Sequence, residues 1–584
     1  MKQILQTVWR TDKKNFLLIL LLNIGVALTG SVSIVMLVPM LDLLDISVGD
    51  GSSLSVLLEP FMGMSYLQRA IVLIMVYVLL MLINAILTAR FSVRQSAYLG
   101  RYEMNLRKDI YCAISTVDWE VLSGKTGTDL IQLVTVHCKQ ARYSLQLVIA
   151  LISSVFSALL QLAIAVWMSP PVTLLVLVVG ASFLLVFRPA QKKSRELGEQ
   201  SVKAGHKLHR EIQNQLNGIK EIRAYGAEEH HAALFQDISQ EHYDISVHTT
   251  RVWVIPRACY SVAAAILIGM AFVFSVLILD TGTAQLVVLV YIFSRLWPIF
   301  SSWQGQVQDI QTYVPSYEVV QTVINEFAQN IREPEKRDEA LSFVNEVSFN
   351  DVHFAYRNST EDVLKGMNFT LPFGSVTALV GPSGAGKSTT ADLLLGLLRP
   401  TKGCIDVDGQ ALNDDTLGAW RKMIGYIPQE PLILNTTVRE NLQRFHPDAT
   451  EEEMVDALKR SLAWPVIEKL PLGLDTVLGD KGVRLSGGER QRIVLARVLM
   501  GNPKLIILDE ATSALDYASE NFVRETIQSL RKHTTVLIIA HRMATIRGAD
   551  RAIVLLDGKI AEQGSMQELL QKEDSYLAKM VSVE

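Results

Sequence analysis

Ser375-Val-Thr-Ala-Leu-Val380 runs straight into Gly381-Pro-Ser-Gly-Ala-Gly-Lys387-Ser388-Thr389, and residues 390–398 continue with helical spacing. A short apolar strand, a glycine-rich loop and a helix start spell G-x-x-x-x-G-K-S in the order that phosphate binding needs. The loop glycines let backbone N–H groups turn inward, and the helix N-terminus adds a positive field. Gly381, Pro382, Ser383, Gly384, Ala385, Gly386 and Thr389 then frame a nucleotide phosphate chain. Lys387 reaches the β/γ-phosphates, and the Ser388 hydroxyl ligates Mg²⁺. Taken alone, this stretch says only that a nucleotide binds.

Downstream, Leu505-Ile-Ile-Leu508 reads as a buried strand ending in Asp509-Glu510. Open α/β sheets place chemistry at the carboxyl ends of strands. Two acids there suit a metal ion and a water: Asp509 to hold Mg²⁺, Glu510 to polarise the attacking water. From Glu346 onward, short β-branched runs alternate with helices, which sets residues 346–584 apart as an α/β domain.

Between the two motifs lies Leu485-Ser486-Gly487-Gly488-Glu489-Arg490-Gln491-Arg492. It resembles the signature of the ATP-binding-cassette (ABC) transporter ATPases. Other marks of that family follow in order. Tyr356 looks like the aromatic that stacks on adenine. Gln429, in Ile427-Pro-Gln429, is similar to the Q-loop glutamine that senses Mg²⁺. Asp516, closing Ser513-Ala-Leu-Asp516, resembles the D-loop aspartate, and His541 the switch histidine on the γ-phosphate. The resemblance implies a catalytic set of Glu510, His541, Lys387 and Gln429, a metal set of Ser388, Gln429 and Asp509, and ATP as the nucleotide. It also implies that Ser486, Gly487, Gly488, Glu489 and Asp516 act on ATP held by a second subunit. Each chain carries one phosphate loop and one signature, so a working site needs two chains. Departures are small: Glu489 stands where Gln is commoner, and Asp480-Lys-Gly482 where many members have Glu-Arg-Gly. With every hydrolytic group in place, a homodimer is expected.

Upstream the composition changes. Of 584 residues, 49% are hydrophobic and 20% charged, and mean hydropathy is +0.25. Soluble chains carry about a quarter charged residues, so part of this chain belongs in lipid. Uncharged runs predict six membrane helices, at about 16–41, 70–90, 143–168, 172–188, 253–279 and 281–303. The 45 residues between Arg142 and Arg188 hold no charge. At 1.5 Å per residue they make about 68 Å of helix, which is two crossings turned at Ser169-Pro170-Pro171. Asp280-Thr-Gly-Thr283 is the matching reversal between the last two. Basic residues number eight in 90–142 and ten in 188–251 but one, Arg69, in 42–69. The positive-inside rule therefore puts both termini and both long loops in the cytoplasm. Those loops have helical patterning and extend the membrane helices as two cytoplasmic hairpins. The segments 115–126, around Trp119, and 219–229 are the expected couplers to the ATPase.

The predicted architecture is a membrane all-α domain, 1–330, with six transmembrane helices and long cytoplasmic extensions. A charged linker, 331–345, joins it to an α/β P-loop ATPase domain of the ABC type, 346–584. It resembles an exporter-type (type IV) half-transporter. That resemblance implies an ATP-driven exporter or flippase moving a lipid, peptide or other amphiphile by alternating access, in contact with membrane lipids. Alternatives are an exporter-fold importer of a siderophore-like ligand and an ATP-gated channel. Arg295, about 16 Å into the sixth span, is the candidate for greeting an anionic substrate. The first run is too long for a signal peptide and leaves no room before it for a peptidase domain. These features, with short external loops, point to a bacterial inner membrane. The net charge of −4 gives no basic excess for nucleic acid. Four cysteines without paired spacing exclude a disulfide framework.

Overall fold

The computed structural model describes residues 12–36, 40, 65–168, 170–171, 173–174, 177–178, 182, 188–277, 283–331, 340–357, 359, 361–509, 534–539, 546, 548–572 and 574–583. The chain divides into two compact units, 1–115 with 125–329, and 116–124 with 330–584. Most of the expected 331–345 linker, most of the span at 172–188 and the reversal at 280–282 lie outside the described residues.

The first unit is helical. Its elements are α1 (Lys13–Val35), α2 (Tyr66–Thr116), α4 (Gly127–Gln132), a π turn (Leu133–His137), α5 (Cys138–Met168), α6 (Arg188–Asn217), α7 (Ile219–Ala224), α8 (Glu228–Leu277) and α9 (Thr283–Gln329); α3 belongs to the second unit. Helix α2 runs unbroken for 51 residues, about 76 Å at 1.5 Å per residue, far more than a bilayer's hydrocarbon. Its apolar first half gives way to Arg90, Arg94, Arg101, Arg107 and Lys108. Among the described residues, three stretches are long and apolar enough to cross a membrane: Lys13–Ser33, Tyr66–Thr116 and Gly127–Trp167.

A core of Tyr98, Leu106, Ile110, Leu145, Ile149, Val314 and Val320 joins α2, α5 and α9. Helix α6 lies so close to α9 that a Cβ on Gly198 would strike the Thr312 carbonyl oxygen. Arg195 of α6 is paired with Glu318 of α9, its Nη2 donating to both carboxylate oxygens at 2.9 and 3.0 Å. Within the apolar span, Asn84 of α2 donates to Thr29 Oγ1 (2.7 Å) and the Val26 carbonyl (3.0 Å) of α1. Arg142 of α5 faces Glu103 at 3.4 Å, and Arg257 of α8 faces Asp309 at 3.9 Å.

Among its described residues the second unit holds two sheets. Strands β1 (Glu346–Phe354), β2 (Leu364–Pro372), β4 (Lys402–Val407) and β5 (Gln410–Ala411) form an antiparallel sheet in the order β2-β1-β4-β5. The larger sheet runs β10-β9-β3-β8-β7-β6, with β3 (Val376–Val380), β6 (Ile424–Ile427), β7 (Leu505–Asp509), β8 (Thr535–Ile539) and β9 (Arg551–Leu556) parallel. Strand β10 (Lys559–Ser565) closes one edge antiparallel. Strand β3 is buried throughout because both faces are covered. Val376, Ala378 and Val380 point into one apolar core, and Leu379 into the other with Leu393 and Trp420. The period of two explains why this strand reads as continuously apolar.

The remaining helices are α10 (Lys387–Leu394), α11 (Leu417–Met423), α12 (Val438–Gln443), α13 (Glu451–Arg460), α14 (Trp464–Ile467), α15 (Gly487–Met500), α16 (Met566–Gln571) and α17 (Tyr576–Val583). The short α3 (Trp119–Ser123) packs in this unit too. Arg357 grips it, donating to Asp118 at 2.7 Å, lying 3.4 Å from Glu120, and donating to Asn330 Oδ1 at 2.7 Å. The backbone N–H of Arg357 also donates to Glu120. Val117 pairs with Ile331 in an antiparallel bridge.

Arg497 of α15 is 6% exposed and donates to the carbonyls of Asn441 and Leu432, both at 3.1 Å, while stacking over Phe445. Burial pulls its guanidinium down to about 10. Arg497→Ala strands these buried acceptors. It is expected to cost about 2–4 kcal/mol, lowering the Tm of the ATPase unit by roughly 5–15 °C in a thermal melt.

Candidate functional site: a nucleotide cradle and a capped signature helix

The phosphate loop leaves the carboxyl end of β3 and re-enters structure as α10. Gly386 caps that helix in the left-handed region (φ +103°), and a Cβ there would meet Leu364 Cδ2 at 2.6 Å. Glycine is therefore required twice over, by conformation and by space. Lys387 is 6% exposed, and its ammonium folds back onto the carbonyls of Gly381 and Pro382, each at 2.9 Å. This contact holds the loop curled and the positive charge beside it. Pro382, Ser383, Gly384 and Ser388 are exposed on the open side; Ala385 is buried.

Tyr356 lies beside this loop. Its hydroxyl is 3.3 Å from Thr389 Oγ1, and its ring stands edge-on to Phe354 at 4.9 Å. The ring is 37% exposed, leaving a face free for a planar ligand. Its neighbour Arg357 is the residue that grips α3.

Strand pairing brings the acidic corner together. Ile427 of β6 is in register with Leu508 of β7, so Gln429 and Asp509 follow from adjacent strand ends. Gln429 is exposed and Asp509 half-buried. Tyr426 donates to Asp509 Oδ2 at 3.3 Å, and burial with that carboxylate raises the Tyr426 phenol. Asp392 of α10 completes the cluster. Burial first, and the Asp509 charge second, push its carboxyl up to about 6. No motif flagged Tyr426 or Asp392; they arrive by register and helix packing. Crowded carboxyls are a surplus of negative charge that a divalent cation relieves, so Ser388, Gln429 and Asp509 fit a Mg²⁺ ion. Glu510, Asp516 and His541 lie outside the described residues.

The signature forms a second, separate feature. Ser486 caps α15: its Oγ accepts from the Glu489 N–H at 3.3 Å, and Glu489 Oε2 accepts from the Ser486 N–H at 2.8 Å. This reciprocal capping box is the physical use of the residue that sequence comparison with the family marks as a departure. Helix α15 packs on β6, where Val498 leaves no room for a side chain on Gly425. Strand β6 is three places from β3 in the sheet, roughly 14 Å at strand spacing.

Similarity to known proteins follows the same division. The family described as "ABC transporter transmembrane region" matches residues 16–299, and "ABC transporter" matches 364–513. The heterocyst differentiation ATP-binding protein HepA of a Nostoc strain is 31% identical over 508 residues, 85% of this chain and 82% of that protein. An ATP-dependent lipid A-core flippase from Desulfotalea psychrophila is 42% identical over 247 residues, covering 42% of this chain and 43% of that one. Among solved structures, a bacterial Atm1-family ABC exporter with ATP bound superposes with a TM-score of 0.80 at 23% identity, over 99% of both chains.

The reciprocal cap makes a specific expectation. Glu489→Gln keeps both hydrogen bonds and is expected to leave ATP turnover within about twofold, whereas Glu489→Ala loses about 1 kcal/mol of helix-start stability and turnover with it. Steady-state ATPase assays separate the two; equal impairment would show that the charge at 489, not the cap, matters.

Proposed function

Because this chain belongs to the ABC transporter family and couples ATP hydrolysis to transport across a membrane, we propose that it is an exporter or flippase of an amphiphilic substrate. On this reading it works as a dimer of two identical chains in a bacterial inner membrane, with both termini and the ATPase units in the cytoplasm. Two relatives carry names of that kind: the lipid A-core flippase already described and a putative multidrug export protein of Staphylococcus aureus, 41% identical over 230 residues. The single observation that carries the proposal is the separation of the phosphate loop from the signature cap. One follows β3, and the other rides on β6 at the sheet edge. A nucleotide on one chain's loop then meets the signature of the other chain.

In the proposed cycle Tyr356 stacks on adenine, and Gly381, Pro382, Ser383, Gly384, Ala385, Gly386 and Thr389 wrap the phosphates. Lys387 leaves its carbonyl contacts to take the β/γ-phosphates, a short reach for a flexible ammonium. Ser388, Gln429 and Asp509 would hold Mg²⁺, which when bound neutralises charge on the β- and γ-oxygens. Glu510 accepts a hydrogen bond from the attacking water, and His541 holds the γ-phosphate. The partner's signature residues, Ser486, Gly487, Gly488 and Glu489 with Asp516, close the site: the Ser486 oxygen accepts from Glu489, so its own O–H is left to donate outward.

Closure is transmitted through cytoplasmic helices. The Arg357 clamp supports that route, since it ties the residue after Tyr356 to Asp118 and Glu120 around α3. Arg295 is proposed to meet an anionic headgroup; it lies within helix α9. The same family contains importers and ATP-gated proteins, and a full hydrolytic set favours transport driven by turnover.

Glu510→Gln tests the assignment. Turnover is expected to fall 10²–10⁴-fold with ATP still bound and chains trapped as dimers. Unchanged turnover removes Glu510 from its role.

A further inference from the structure

His137 ends the π turn ahead of α5, where the widened turn displaces the helix face, and such turns cluster at functional positions. It is 1% exposed. Its Nε2 stands 3.3 Å from Nε2 of His206 on α6, with ring centroids 5.2 Å apart. Two imidazole nitrogens that share a proton settle nearer 2.9–3.0 Å; a tetrahedral zinc ion with bonds of 2.0–2.1 Å holds its nitrogen ligands about 3.3 Å apart.

The surroundings match a cation in two further ways. His206 Nδ1 lies 3.5 Å from Asp129 Oδ1, the carboxylate–histidine arrangement that fixes the tautomer with Nε2 free to ligate. Arg210 lies 3.9 Å from the same oxygen and holds that carboxylate in place. Gln132, at the head of the same π turn, keeps a buried Oε1 with no hydrogen-bond partner, and its Nε2 lies against Gly205, next to His206. That oxygen is an acceptor for a metal-bound water.

We propose that His137 and His206 hold a divalent transition-metal cation of the zinc class between their Nε2 atoms, with water completing a tetrahedron and Asp129 orienting His206. Two protein ligands and open water positions make an exchangeable site, unlike closed four-ligand structural sites. Bound there, the cation cross-links the start of the α5 arm to α6, two helices of the first unit. The site shares no residue with the nucleotide cradle.

The test is a Co²⁺ titration of tag-free, full-length dimer in nanodiscs without nucleotide, followed by visible absorption and reversed with Zn²⁺. About one tetrahedral cobalt per chain is expected, bleached by zinc, because cobalt and zinc favour the same nitrogen set. His206→Ala is expected to abolish the band while retaining metal-free ATPase activity; His206 sits partly exposed on α6, so the variant folds. Asp129→Asn is expected to weaken binding about 10–100-fold. His137→Gln serves as a second loss-of-ligand variant, read against its own thermal melt. Absence of a cobalt band in the unaltered protein, or equal bands in it and in His206→Ala, overturns the proposal. The remaining histidines and thiols are common to both and supply the background.

Discussion

A row of backbone N–H groups at the start of a helix attracts an anion strongly, but it covers the anion from one side only. That constraint shapes this molecule. The loop between β3 and α10 curls against Lys387 in a shape suited to one side of a phosphate chain, and Ser388 is left exposed. The complementary cap, Ser486 with Gly487 and Gly488, is built at the start of α15, on the edge strand β6. On the proposed reading, a chain whose two half-cradles sit apart in one sheet needs a second chain to complete a site.

Energy for movement follows from that division. A ligand shifts a conformational equilibrium only by binding one state better than the other. Moving a population from 1:99 to 99:1 needs about 5.5 kcal/mol of differential affinity. A γ-phosphate gripped from two chains gains its second set of contacts only in the closed state, so nearly all of that set is differential. Arg357 is well placed to pass closure on, because the carboxylates it binds flank and begin α3, and the residue before it is Tyr356. The Asp392–Asp509–Tyr426 corner sets an opposite requirement: burial first, and the Asp509 charge second, hold the Asp392 carboxyl above its usual range, and a cation there would relieve that charge.

Local chemistry was plain in the sequence wherever spacing along the chain carries it. The phosphate loop, Asp509 after its apolar strand, the signature serine and the apolar runs of α1, α2 and α5 all depend on neighbours within about twenty residues. Glu489 was legible too, as the fourth residue of a Ser-x-x-Glu cap, although family comparison alone marks it as a deviation. Long-range pairing left no such trace. Asp392 of α10 feels the charge of Asp509 although the two are far apart in the chain, and Tyr426 joins Asp509 because β6 and β7 run parallel in register. Arg357 finds Asp118 across more than two hundred residues of chain, and His137 finds His206 through the packing of α6 beside the π turn. Arg142 and Arg257 carry the same lesson: hydropathy places a cation near a membrane end, but cannot name the carboxylate opposite.

The shared site is tested most directly by mixing two disabled chains. Lys387→Ala spoils a phosphate loop, and Ser486→Arg spoils a signature cap; each homodimer is expected to hydrolyse almost no ATP. In a mixed dimer one loop and the facing cap are both intact, so co-assembled chains should recover about a quarter of normal turnover, from half the dimers carrying one good site each. If the mixture stays as inactive as its parents, each site lies within a single chain, and the two-chain clasp is wrong.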